Sequence, residues 1–400
     1  MIPLGRDSDE KQVDWDPKLE KNPHLAIVGQ SGTGKTQAIK AIIREGQEQG
    51  ISFLILDYHD EYIDQASRVI DVRDGLTINP LEIPEARELD VSFLVANVFR
   101  RLGLVGGDQQ EAYLRRAIQL SYGIDTERSN RPLPSVEPRP TPTFADVKKN
   151  LLRIEATDSS AKRVVPALRN RLSIIFDLGL FQSKTDIPFE ELTNGTNVIS
   201  LKNLPSDETR LIVSDFLLRK LWDFVYRWGQ HPELRLFCIA DEAHRLAYPK
   251  SPVDTIVREA RKYGVGMILA SQSPHDFDRS VFANVASKLC FCCSLDEDAQ
   301  FMSHQMGCDA KKIMGLSLEG EAFLRRGSSE APERVRVNLY HRTQGEKRAK
   351  TSKPTPAVEK KQEEQASDSG RTQFGGQVRF GEHGLQGTAS LKNWKKKEGH

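Results

Sequence analysis

The sequence is short of several things that would each have narrowed its function. Cysteine is scarce, five in 400 residues, and the opening MIPLGRDSDEKQ has no basic-then-apolar export signal. The five are therefore read as thiols of a reducing, cytoplasmic compartment rather than as a disulfide framework. No apolar run approaches the ~18 residues of a membrane span, so no integral membrane segment is expected. The formal net charge is only +1, which argues against a broadly basic coat for nucleic acid. That near-neutrality hides an uneven spread. Residues 341–400 carry 13 Lys/Arg against 7 Asp/Glu, and residues 1–340 carry 44 against 49. No repeat of solenoid length is visible.

What remains is an ordinary globular composition, 38% hydrophobic and 28% charged, enough for two or three domains or one large α/β domain with insertions. Short apolar runs recur: HLAIV (24–28), SFLIL (52–56), NVISL (197–201), LFCIA (236–240), MILAS (267–271), KLCFCC (288–293), EAFL (321–324) and RVRVNL (334–339). Several are continuously apolar, as strands buried on both faces of a parallel sheet must be. Helix-like spacing lies between them at 35–48, 208–228 and 253–263. From about 88 to 182 the apolar residues recur at three and four, which predicts a helical insertion. The expected fold is α/β, a mostly parallel sheet flanked by helices. The expected divisions are a lead-in (1–23), a first core part (24–87), the insertion (88–190), a second core part (191–344) and a tail (345–400). The Pro-rich RPLPSVEPRPTP (131–142) reads as a linker. The tail has few aliphatics and ends in a lysine cluster, so burial cannot offset its ordering entropy and disorder is expected.

Between HLAIV and the helix-compatible TQAIKAIIREG stands GQSGTGKT, which fits G-x-x-x-x-G-K-[ST] with Gly29, Gly34, Lys35 and Thr36. Strand, loop and helix in that order are the context the motif requires. Glycines let backbone N–H groups turn inward around phosphate oxygens, and the helix start adds partial positive charge. Residues Gly29, Gln30, Ser31, Gly32, Thr33, Gly34, Lys35, Thr36 and Gln37 are thus read as a nucleoside triphosphate cradle. Lys35 reaches the β- and γ-phosphates and Thr36 ligates Mg²⁺. The strand LFCIA ends in Asp241 and Glu242. Asp241 is the expected second holder of Mg²⁺, and Glu242 the base that polarises the attacking water. A carboxylate base suits water as nucleophile, which favours hydrolysis over a kinase or GTPase. Gln272 ends another apolar strand, where its amide would meet the γ-phosphate or the water. In DYHDEY (57–62), Asp57, His59, Asp60 and Glu61 admit a metal site, but the spacing fits no zinc signature, and nearness to nucleotide or DNA is an equal reading.

Together, NPHLAIVGQSGTGKT, LILDYHDEY, LTINPLEIP, IADEAHRL, VREARKYGVGMILASQSPHDF and GEAFLRRGSSEAPERVRV resemble the HerA/FtsK superfamily of ring-forming ATPases, the HerA-like branch in particular. The resemblance runs from about 12 to 340. It implies a RecA-like P-loop NTPase core, a homo-hexameric ring, ATP sites at subunit interfaces and double-stranded DNA in the central channel. It also implies that Lys35 and Thr36 bind nucleotide and Mg²⁺, that Asp241 and Glu242 are the Walker B pair, and that Gln272 is the polar sensor. Family members use an arginine from the neighbouring subunit. Arg258 and Arg261 are the candidates here, with Arg325 or Arg326 in reserve, although both of the first two also fit the flanks of an amphipathic stripe (Val253, Ile256, Val257, Ala260). HerA helicases carry an N-terminal β-barrel, whereas 28 residues precede Gly29, and VDWDPKLEKNPHLAIVG is similar to the lead-in of stand-alone HerA-like ATPases of DNA-defence, plasmid and viral systems.

Trp15 has two readings, adenine cover or packing on the sheet, of which packing is the simpler. In CFCC (290–293), alternation puts Cys290 and Cys292 on one face and Cys293 on the other, with no second pair to complete a metal site, so buried strand thiols are expected. Lys395, Lys396 and Lys397 would solvate the tail or hold phosphates. The leading functional expectation is an ATP-driven translocase of duplex DNA. The alternatives are a conjugation or genome-packaging motor, and an ATP-dependent switch controlling a partner nuclease.

Overall fold

The computed structural model describes residues 1–340 except 74, 75, 77, 83–87, 125–140, 180 and 183–187. These belong to the first of two units, Met1–Thr351. The expected tail and nearly all of the Pro-rich linker lie outside the described residues. Eleven strands form one sheet: β1 (Ile2–Arg6), β2 (Gln12–Trp15), β3 (Leu25–Val28), β4 (Ser52–Asp57), β5 (Arg68–Asp71), β6 (Thr196–Ser200), β7 (Leu236–Asp241), β8 (Val265–Ser271), β9 (Ser287–Cys290), β10 (Glu321–Arg325) and β11 (Glu333–Val337). Their order is β2-β1-β11-β10-β9-β3-β8-β7-β4-β6-β5. From β9 to β5 all neighbours run parallel. From β9 to β2 they alternate.

Period-two alternation divides each central strand between two apolar layers. Leu25 and Ile27 face one layer with Ile39, Ile42 and Ile43 of α1 (Lys35–Glu48). Ala26 and Val28 face the other, which holds the insertion and the C-terminal helices. The insertion is helical as expected: α2 (Glu88–Arg101), α3 (Asp108–Ser121), α4 (Phe144–Thr157), α5 (Ala161–Arg171) and α6 (Ser173–Asp177). After the short α7 (Phe189–Leu192), α8 (Asp207–Trp228) starts where Ser206 Oγ accepts the N–H of Thr209 and stops at Gly229, a standard pair of helix signals. The segment expected as one helix over 253–263 is α9 (Pro252–Glu259) followed by a tighter 3₁₀ turn, Ala260–Tyr263.

Three strands were not expected. β1 and β2 make the 1–23 lead-in a hairpin that extends the sheet; β1 is broken by Pro3 and Gly5 and the edge strand β2 alternates with polar residues, so neither gave an apolar run. Gly5 is needed there because a Cβ would fall 2.1 Å from the Arg336 carbonyl oxygen. β5, RVID, is only four residues long. β9 also ends sooner than expected, at Cys290, so strand alternation does not extend to Cys292 and Cys293. Cys290 and Cys293 share one apolar layer, and both thiols donate to the Phe291 carbonyl, at 3.3 and 3.7 Å. Trp15 is fully buried, tilted against Phe237, with its indole N–H on Ser287 Oγ. It packs on the sheet.

Candidate active site

The parallel strands bring their C-terminal ends to one edge, where open α/β sheets bind ligands. At the end of β3 the Gly29 N–H reaches the Ser271 carbonyl (3.4 Å) and the Gln30 N–H the Cys292 carbonyl (2.9 Å), so the loop is tied to the end of β8 and to the segment that follows β9. A Cβ on Gly29 would lie 2.5 Å from Phe291 Cβ, and Gly34 enters α1 at φ +104; only glycine suits either place without strain. Thr33 Oγ1 donates to the Gln30 carbonyl (2.8 Å), closing the loop from inside. The Lys35 ammonium donates to the Gly29 and Gln30 carbonyls at 2.6 and 3.0 Å. Burial lowers its pKa, opposed by Asp241 and Glu242.

A cleft of about 230 Å³ opens over this loop, lined among others by Lys35, Thr36, Gln37, Asp241, Glu242 and Gln272. Residues from the ends of β3, β7 and β8, far apart in sequence, thus converge. One further strand, β8, separates the phosphate-loop strand from the carboxylate strand, and Gln272 follows its last residue. Thr36 Oγ1 donates to Asp241 Oδ2 at 3.2 Å. Glu242 has φ +72 and its Oε2 lies 3.1 Å from His244 Nδ1. Such backbone strain in a non-glycine residue costs about 1–3 kcal/mol and concentrates at functional positions.

The DYHDEY segment also belongs to this cleft, through Asp57, His59, Glu61 and Tyr62. Among the described residues no group of three or more His, Cys, Asp or Glu is arranged to hold a metal ion. Asp57 is consumed by the loop itself, accepting the backbone N–H groups of His59, Glu61 and Tyr62. Asp60 meets Ser200 and Lys202. Sequence reasoning missed Tyr62, whose hydroxyl donates to Asp241 Oδ2 at 2.5 Å, and Glu319, which closes one wall. Burial first, and then Asp241, raise the Tyr62 phenol well above its ordinary pKa, so it stays a donor.

Arg258 and Arg261 are not in this cleft. They line a groove with Lys18, His231 and Gly264, beside the N-terminal end of β8 and thus at the opposite edge of the sheet. Arg258 pairs with Asp254 at 3.0 Å. The Arg261 side chain is exposed and has no partner among the described residues. Val253, Ile256, Val257 and Ala260 are buried beneath them, as the stripe predicts. The reserve pair is committed within the chain: Arg325 donates to the Gln305 carbonyl, and Arg326 to the Asp14 carbonyl and Glu333.

A glycine-bounded loop opening a helix, a strand-end carboxylate facing it and an inserted strand between the two define a P-loop NTPase core. The cradle fits a triphosphate, and the Thr36 hydroxyl with the Asp241 carboxylate forms the hard oxygen donor set that Mg²⁺ prefers. The profile of the family described as "Helicase HerA, central domain" matches residues 7–221, more than half of the chain. The chain belongs to that family. It is 26% identical over 343 residues to the DNA double-strand break repair helicase HerA of Saccharolobus solfataricus, covering 79% of this chain and 64% of that protein. The chain therefore spans a little under two thirds of that relative. Its fold is similar to that of VirB4 of Thermoanaerobacter pseudethanolicus, with TM-score 0.69 and 18% identity over 84% of this chain and 96% of the other. The plasmid coupling protein TrwB in complex with ADP and Mg²⁺ is also similar, with TM-score 0.59 and 14% identity over 85% and 90%. Among the described residues no helix is long and apolar enough to cross a membrane.

Proposed function

We propose that the chain is an ATP-hydrolysing motor that moves double-stranded DNA, working as a homo-oligomeric ring of the hexameric kind its family resemblance implies. The observation that carries the reading is the meeting of Thr36 and Asp241 at 3.2 Å, beside Glu242, in a cleft over the phosphate loop. The HerA relative's description as a repair helicase supports DNA as the track. In this reading backbone N–H groups of residues 29–36 hold the phosphates, and Lys35 leaves its loop carbonyls for the β- and γ-phosphates. Thr36 and Asp241 would hold Mg²⁺, which would neutralise phosphate charge when bound. Glu242 accepts the proton of the attacking water, and Gln272 orients that water. Arg258 or Arg261, at the far edge, serves the cleft of a neighbouring subunit.

The test is steady-state ATP hydrolysis across protein concentrations, with and without duplex DNA, beside Glu242→Gln. Turnover stimulated by DNA, cooperative in protein and lost in Glu242→Gln is the expected result. Slow turnover indifferent to DNA would replace the motor with a partner-controlled switch. Turnover that survives Glu242→Gln would overturn the site assignment.

A further inference from the structure

We infer that Tyr62 is a positioning residue that fixes the metal-holding carboxylate of Asp241 through a hydrogen bond to its Oδ2. The inference rests on the reading of Asp241 as a holder of Mg²⁺ and goes beyond it by naming what aims that carboxylate. Tyr62 is 1% exposed, and its hydroxyl lies 2.5 Å from Asp241 Oδ2. Thr36 Oγ1 reaches the same oxygen at the longer 3.2 Å. Oδ1 has no protein donor among the described residues. One oxygen of Asp241 is therefore held by the protein and the other is left for a ligand. A Thr36 hydroxyl that gave a lone pair to a cation would keep its O–H on Oδ2, so Tyr62, with the shorter of the two bonds, would share with Thr36 the fixing of the carboxylate's rotation.

The tyrosine is itself held from behind. Its N–H donates to Asp57 Oδ2 at 2.8 Å, and Asp57 Oδ1 takes the N–H groups of His59 and Glu61, each at 3.1 Å. Asp57 is the last residue of β4, paired to β7, whose last residue is Asp241. The chain Asp57–Tyr62–Asp241 thus bridges the ends of two adjacent strands. Preorganisation of this kind matters because a metal ligand free to rotate loses part of its affinity to ordering, and partners behind a ligand commonly tune it tenfold or more.

The experiment uses the full chain with Tyr62→Phe, which keeps the buried ring and removes only the hydroxyl. Binding of a fluorescent ADP is measured in EDTA and across a Mg²⁺ titration, together with the melting temperature without nucleotide, and Asp241→Asn is run alongside. The expected result is unchanged ADP affinity in EDTA, little change in melting, and a Mg²⁺ midpoint raised about tenfold, the scale of one hydrogen bond to a charged group. A Mg²⁺ midpoint unmoved in Tyr62→Phe but raised in Asp241→Asn would overturn the role of Tyr62 alone. A wild-type midpoint in Asp241→Asn would overturn the assignment of Asp241 beneath it. An affinity loss of equal size with and without Mg²⁺ would mark Tyr62 as packing only.

Discussion

The two edges of the parallel sheet are built on opposite plans. At the C-terminal edge the polar groups are held by one another: Lys35 by its own loop carbonyls, Asp57 by three N–H groups, and one oxygen of Asp241, Oδ2, by Thr36 and Tyr62. At the N-terminal edge the Arg261 guanidinium stands exposed without a partner among the described residues, and Arg258, 51% exposed, pairs there with Asp254. A self-satisfied network is the mark of a preorganised site. Exposed cations over a buried apolar stripe are half of a site or ordinary surface, and only a second subunit distinguishes those two.

The largest effect should come from the residues placed closest to the chemistry. Glu242→Gln and Arg261→Ala should each cut ATP turnover about 10³-fold while ATP binding persists, read by hydrolysis and by equilibrium nucleotide binding. Mixing the two inactive variants then sharpens the comparison between edges. If a cleft takes Glu242 from one subunit and Arg261 from the next, random mixing leaves about a quarter of the clefts complete, and turnover returns. If both act within one chain, the mixture stays inactive.

Trp15→Ala breaks neither edge and should show it. Deleting this fully buried ring should cost about 3 kcal/mol of stability, measured by denaturant unfolding, with nucleotide affinity unchanged. The smallest effect belongs to His24, which precedes β3 below the arginine groove. Its Nδ1 accepts the Met267 N–H, and burial lowers its pKa to about 3 from 6.5. Below pH 6.5 the unfolded chain binds a proton there that the folded chain does not, so stability falls as pH falls. Between pH 6.5 and 5 the loss should be about 1.6 kcal/mol, and unfolding of His24→Asn should lack that slope.

Much of the cleft was legible because strand ends are legible. Where LFCIA and MILAS stop, Asp241, Glu242 and Gln272 must stand at the edge where Gly29 begins its turn, and they do. Tyr62 was not legible. A tyrosine in a loop carries no signature, and its partner lies 179 positions away. The hairpin of β1 and β2 was hidden for a different reason: Pro3 and Gly5 interrupt β1, and Gln12 and Asp14 interrupt β2, so neither forms an apolar run. The helical insertion was visible as a periodicity, but its packing on the sheet follows from shapes that a one-dimensional pattern does not hold.

The inserted strand β8 has a mechanical consequence. Arg261 lies four residues before it and Gln272 directly after it, and its seven residues span about 20 Å. Hydrogen-bonded to β3 and β7 on both sides, it resists compression as a strut does. Where Gln272 meets the γ-phosphate, as proposed, β8 would join that contact to the turn that carries Arg261. In the proposed ring β8 would thereby link the cleft of one subunit to the arginine serving another.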